Sequence, residues 1–213
     1  MIQMIIRMFN DGGSFMWVIL GVMAVACAVV LERGSYLFIY CRGNSYNIVN
    51  KMITALEQGK PEAARLVVAK RSSPMFVVFR TALDRYVTGA KPDRIMERVE
   101  KTAIHEVPRI SRRINYLSLL ANVSTLMGLL GTILGLQTSF GSLAAADVSQ
   151  KASLLASGTA EAMNTTAFGL IVAMTCMVMY TVLNNRHQVI LKEIDEGVAH
   201  FIDTIKEKTN ERF

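Results

Sequence analysis

Apolar residues gather in three long blocks along this chain, and between the blocks they recur at helical spacing. The first block runs from about Phe15 to Leu31, some 26 Å of helix, and continues through Gly34 into an aromatic border of Tyr36, Phe38 and Tyr40. The second covers residues 116–140 and the third 158–183. Blocks of this length with almost no charge are what a membrane span requires. The chain therefore reads as an all-α, polytopic membrane protein with three transmembrane helices. The predicted organisation is an N-terminal flank (1–14), the first span with its interface (15–40), a helical segment (41–115), the second span (116–140), a connecting loop (141–157), the third span (158–183) and a C-terminal helix (184–213).

The segment 41–115 reads as elongated helices rather than a catalytic domain. Lys60-Pro61-Glu62, Ser73-Pro74 and Lys91-Pro92-Asp93 each place a proline where a helix begins, because its missing N–H is not needed in the first turn. Ile95, Val99 and Ala103 then follow the helical period after Pro92. In the tail, Ile190, Ile194, Val198, Phe201 and Ile205 keep the same period with acids and lysines between them. That stripe needs a surface to cover it, in this chain or in a neighbouring copy.

Charge sets the orientation. Residues 41–113 hold fifteen Lys and Arg, five more follow Asn184, and the loop between the later spans holds only Lys151. Bases near span ends, including Arg42, Arg109, Arg112, Arg113 and Arg186, are retained on the cytoplasmic side. The N-terminus and the loop 141–157 are then expected outside and the C-terminus inside. The net charge of +6 is accounted for in this way. No basic run with interleaved aromatics points to nucleic acid. Cys27, Cys41 and Cys176 form no Cys-x-x-Cys pair and have no histidine at ligand spacing, so neither a disulfide nor a metal is expected. No cofactor is expected either.

Within the spans, small and polar residues form stripes. Ser118, Thr125, Thr132 and Ser139 are spaced by sevens, with Asn122 beside them, and are expected along one side of the second span. Gly128, Gly131 and Gly135 form a second stripe that lets another helix approach closely. The third span offers a matching small face in Ala162, Thr166, Gly169 and Ala173. Glu161, near its outer end, is the one acid within the second and third spans. An ionisable group there is a functional candidate because burying it is costly. For an isolated Thr or Ser, bonding to its own helix is the commoner role. Two threonines on two small-residue faces would also suit a wall beside a carboxylate that gains and loses a proton, which would have to come from a partner helix.

The run Met127-Gly128-Leu129-Leu130-Gly131-Thr132-Ile133-Leu134-Gly135 resembles the Gly-Leu-Leu-Gly-Thr-Val-x-Gly signature of the ExbB/TolQ branch of the ExbB/TolQ/MotA proton-channel family. Glu161-Ala162-Met163-Asn164-Thr165-Thr166-Ala167-Phe168-Gly169-Leu170 resembles its Glu-Ala-Leu-x-x-Thr-Ala-x-Gly-Leu. The order and separation of the two motifs match as well. Glu32-Arg33, Ala55-Leu56-Glu57-Gln58-Gly59 and the Ser73-Pro74 break extend the likeness over most of the chain. Ser124-Thr125 stands where the family has Ala-Pro, and Ala173-Met174-Thr175 where it has Ala-Ile-Pro, so both family prolines are absent.

The resemblance implies a bacterial inner-membrane subunit without enzymatic activity. It implies a homo-oligomer, five copies around two helices of an ExbD/TolR-like single-span partner that supplies an aspartate, with the bilayer as its surroundings. It places Thr132 and Thr166 at the ion path and Glu161 at the family's acidic position, leaving Gly128, Gly131, Gly135, Ala162, Gly169 and Ala173 for helix packing. Alternatives are a non-conducting helical scaffold and a Na⁺-driven, gliding or defence-type motor of the same family. A secondary transporter is disfavoured by the lack of an internal repeat or a broken-helix pair.

Overall fold

A computed structural model describes residues 12–41, 45–69, 73–144 and 147–210. Most of the N-terminal flank, Arg42 and the end of the tail lie outside the described residues. Among those described there is no strand. Helix α1 is Phe15–Ser35, followed by a π-helical turn at Tyr36–Tyr40. Then come α2 (Ser45–Glu57), α3 (Pro61–Ala69), α4 (Pro74–Val87), α5 (Pro92–Ser111), α6 (Asn115–Leu143) and α7 (Val148–Asn210). Three stretches are long and apolar enough to cross a membrane, lying within Phe15–Tyr40, Pro92–Leu143 and Val148–Glu207. The expected all-α class with three spans is what the structure has.

Local chemistry explains the breaks. Prolines 61, 74 and 92 each open a helix, and Ser73 and Lys91 before the last two are extended. Gly59 and Gly89 take the left-handed conformation (φ +68° and +76°) that closes α2 and α4, a backbone state that costs glycine little. Arg113 also has a positive φ, 68°, at the turn from α5 into α6, and its guanidinium donates to both Glu32 carboxylate oxygens at 2.7 and 2.8 Å.

The expected loop 141–157 is mostly helical. Helix α6 reaches Leu143 and α7 starts at Val148, so Lys151 through Ser157 are its exposed or half-buried opening turns. The tail is likewise no separate element: with no proline after Val148, α7 runs on for 63 residues, about 95 Å of helix.

The chain divides into two compact units. One comprises Met1–Glu32 and Arg113–Val182, and so holds most of α1, all of α6 and the first part of α7. The other comprises Arg33–Arg112 and Leu183–Phe213. Its core is built from Val49, Met52, Phe76, Phe79, Ile95 and Phe201, all buried. The apolar stripe of the tail is covered by the chain's own helices. Gly197 lies against Phe79 and Val49, and the Tyr86 and Phe201 rings meet edge to face at 6.4 Å. The Arg33 guanidinium stands 5.4 Å from the Tyr36 ring, which stacks on Tyr40 at 5.2 Å.

Candidate functional site

Helices α6 and α7 cross antiparallel on their small residues. A Cβ on Gly128 would stand 3.3 Å from the Thr166 Cα and 3.4 Å from the Gly169 Cα. One on Gly135 would stand 3.1 Å from the Ala162 Cβ. Gly131 faces Thr165 and Phe15, and Gly158 faces Ser139. Gly169 makes the closest backbone approach, since a Cβ there would lie 2.8 Å from the Ser124 carbonyl oxygen and 3.0 Å from the Gly128 Cα. The two backbones touch, which is the approach that membrane helices use when no water drives their association. Ala173 is buried as well.

Hydrogen bonds cross the same seam in both directions. Ser124 Oγ donates to the Gly169 carbonyl at 2.9 Å, and Thr166 Oγ1 donates to the Gly128 carbonyl at 2.8 Å. Thr165 Oγ1 donates to the carbonyl of Gly12 at 2.7 Å, tying α7 to the residues that lead into α1. Ser124 and Thr165 are fully or almost fully buried. Neither was among the sequence candidates. The available signal was spacing: Ser124, Gly128, Gly131 and Gly135 are separated by four, three and four residues, as are Ala162, Thr166, Gly169 and Ala173.

Thr132 and Thr166 are both partly exposed. Because Gly131 faces Thr165 while Gly128 faces Thr166 and Gly169, Thr132 lies near the depth of Thr165 and within about a helical turn of Thr166. The Thr132 hydroxyl donates to the Leu129 carbonyl at 2.6 Å. Glu161 is exposed on α7, and its carboxylate lies against Gly13 at the start of α1. The N-terminal turn of a helix favours negative charge.

The heptad-spaced hydroxyls of α6 do not share one environment, contrary to the expectation of a single polar side. Thr125 is exposed, whereas Ser139 is buried against Gly158, and both bond to carbonyls of their own helix. An ideal helix drifts about 20° per seven residues, so from Ser118 to Ser139 the stripe turns by about 60° and runs into the seam. Among the described residues no cluster of His, Cys, Asp and Glu could hold a metal ion.

Residues 70–196 match the family profile described as the MotA/TolQ/ExbB proton channel family. The chain belongs to that family. An ExbB-like biopolymer transport protein of Synechocystis is 29% identical over 82% of this chain and 82% of its own length. A homologue of the biopolymer transport protein ExbB from Methanothermobacter thermautotrophicus is 27% identical over 97% of this chain and 69% of its own. The Tol-Pal system protein TolQ of Pseudomonas aeruginosa is 27% identical over 74% and 75% of the two chains. With its three apolar helices, this member of the family is a multi-pass inner-membrane protein of proton-channel, motor-subunit type.

Proposed function

We propose that this chain is the channel-forming subunit of a motor that converts proton motive force into mechanical work through an ExbD/TolR-like single-span partner. Copies of it, five by resemblance to the family, surround partner helices that each carry an aspartate. Thr132 and Thr166 stand beside that carboxylate, and Glu161 stands near the outer mouth. The observation that carries this reading is the placement of two partly exposed threonines, within about a helical turn of each other in depth, on a seam lined mainly by small residues such as Gly128, Gly131, Gly135, Ala162 and Gly169. An uncharged hydroxyl can accept a hydrogen bond from the protonated acid, so the wall tolerates a change of protonation without burying a charge of its own. One elementary charge crossing 100 mV releases about 2.3 kcal/mol, and several protons per step supply the work. In this arrangement the N-terminus and the α6–α7 turn face the periplasm, and residues 41–115 and the tail face the cytoplasm.

The bond from Thr166 to Gly128 favours a second reading, a non-conducting scaffold in which the threonine only joins α6 to α7. The complex itself separates part of the question. Purified from its native membrane in mild detergent, the channel subunit is expected to run as a homo-oligomer with a single-span, aspartate-bearing protein bound. Intact mass measurement that finds the chain alone or as a bare oligomer would remove the partner on which conduction depends.

A further inference from the structure

The unit formed by residues 33–112 and 183–213 carries two exposed stripes of opposite charge, and among the described residues no ion pair joins one to the other. On α5, Arg94, Arg98 and Lys101 are all exposed, and at 100° per residue they fall within about 60° of one another around the helix. They line a cleft of about 180 Å³ together with Arg85, Ala90 and Glu97. Glu97 pairs with Arg94 at 3.1 Å and Lys101 at 2.6 Å, which leaves the cleft strongly positive. On α7, Glu196, Asp203 and Glu207 are exposed and fall within about 40° of one another. Lys192 approaches Glu196 at 3.6 Å, while Arg98, Asp203 and Glu207 form no ion pair among the described residues.

The two stripes have compatible lengths and positions. Measured along the helices, Arg98 and Arg94 lie about 21 and 27 Å before Arg112, which follows the end of α5 at Ser111. Glu196 and Asp203 lie about 20 and 30 Å beyond Leu183. Helix α5 runs toward the second span and α7 away from the third, so antiparallel pairing sets Arg98 near Glu196 and Arg94 near Asp203.

We infer that the basic face of α5 in one copy docks on the acidic face of α7 in the next, forming a charge-paired seam outside the bilayer that closes the ring of subunits. The inference rests on the homo-oligomer proposed above. It gives each copy two unlike edges, so contacts run head to tail around the ring. Exposed pairs are individually weak and are screened over about 10 Å at 0.1 M salt, so the seam sets register and neighbour choice more than affinity.

The test uses the full-length chain in membranes, with Cys27, Cys41 and Cys176 replaced by Ala. Chains bearing Arg98→Cys and chains bearing Glu196→Cys, with tags of different size, are co-expressed and treated with a short bis-maleimide cross-linker. A cross-link between the two tags is expected, and the doubly substituted single chain should form linked oligomers. In parallel, R94E/R98E and E196R/D203R should each lower the oligomer recovered at low salt several-fold. Combining all four reversals in one chain should restore it. A link formed only within one chain would overturn the inference, as would charge reversal without effect on oligomer recovery. Charge reversal that changes lipid binding without any inter-chain link would also overturn it. An intact oligomer with its partner bound but no such link refutes only this seam, whereas a native mass of one chain refutes the proposed assembly as well.

Discussion

Gly169→Ala is the sharpest structural test of how α6 and α7 meet. The added methyl would face the Ser124 carbonyl oxygen at 2.8 Å, the Gly128 Cα at 3.0 Å and the Gly128 nitrogen at 3.3 Å. All three are backbone atoms, so no side chain can turn aside and the helices must separate. Overpacking of this kind costs about 1–3 kcal/mol. Separation also stretches the crossing bonds from Ser124 and Thr166, at about 0.6 kcal/mol each for membrane helices. Alanine returns up to about 1 kcal/mol through its better helix propensity. The net loss is therefore about 1–3 kcal/mol. Gly141→Ala is the control, because it lies on the same helix pair with nothing within 4 Å and keeps only the propensity gain. Gly128→Ala, with contacts at 3.3–3.4 Å, should fall between them, and Ser124→Ala should cost about one crossing bond. Unfolding in detergent, followed by helical signal against denaturant, reads the series. If Gly169→Ala is as stable as Gly141→Ala, the two backbones do not touch where the structure joins them.

Other outcomes follow from single groups. A cysteine at exposed Gln58 should be labelled only from the cytoplasm and one at exposed Ser153 only from the periplasm; the reverse pattern in membrane-impermeant labelling would invert the topology. The native Cys41 thiol is buried, and burial raises its pKa despite the Tyr36 hydrogen bond and the nearby Arg186 and Arg33 charges, so it should alkylate far more slowly than a cysteine at Gln58 at pH 7.5. His187 is buried with neither ring nitrogen hydrogen-bonded among the described residues, and burial lowers its pKa. The unfolded chain then binds the proton more readily than the folded one, so His187 makes stability fall as pH drops below about 6.5, and His187→Phe should flatten that part of the stability profile measured between pH 7.5 and 5. An unchanged slope in His187→Phe would show that the ring is solvated.

Much of the architecture is readable from the chain because it rests on local rules. The spans follow from uninterrupted apolar length, and the starts of α3, α4 and α5 follow from Pro61, Pro74 and Pro92. The helical character of residues 148–157 was harder to read, since Ser, Gln, Lys and Ala there carry neither an apolar period nor a breaker. The crossing bonds of Ser124 and Thr165 depend on which carbonyl lies opposite, and that is a property of the helix pair rather than of either helix. A seven-residue spacing suggests one face, but over three repeats the drift of a straight helix carries Ser139 into contact with α7. Glu161 is conspicuous in sequence by its charge alone, while its place against Gly13 needs the third helix of the unit to be present.

In the proposed function, Thr132 and Thr166 serve proton passage as well as packing. Valine keeps the volume of threonine and removes the hydroxyl; Thr132 gives up a bond within its own helix and Thr166 an interhelical bond worth about 0.6 kcal/mol, so Thr132→Val and Thr166→Val should still assemble. The direct measurement is proton flux through the reconstituted complex, scored beside its oligomeric state. Flux should fall at least tenfold in either Val variant, return in part with Ser and stay low with Ala, while assembly is unchanged. Val variants that assemble and conduct like the parent would contradict the account, leaving the two threonines as packing residues alone.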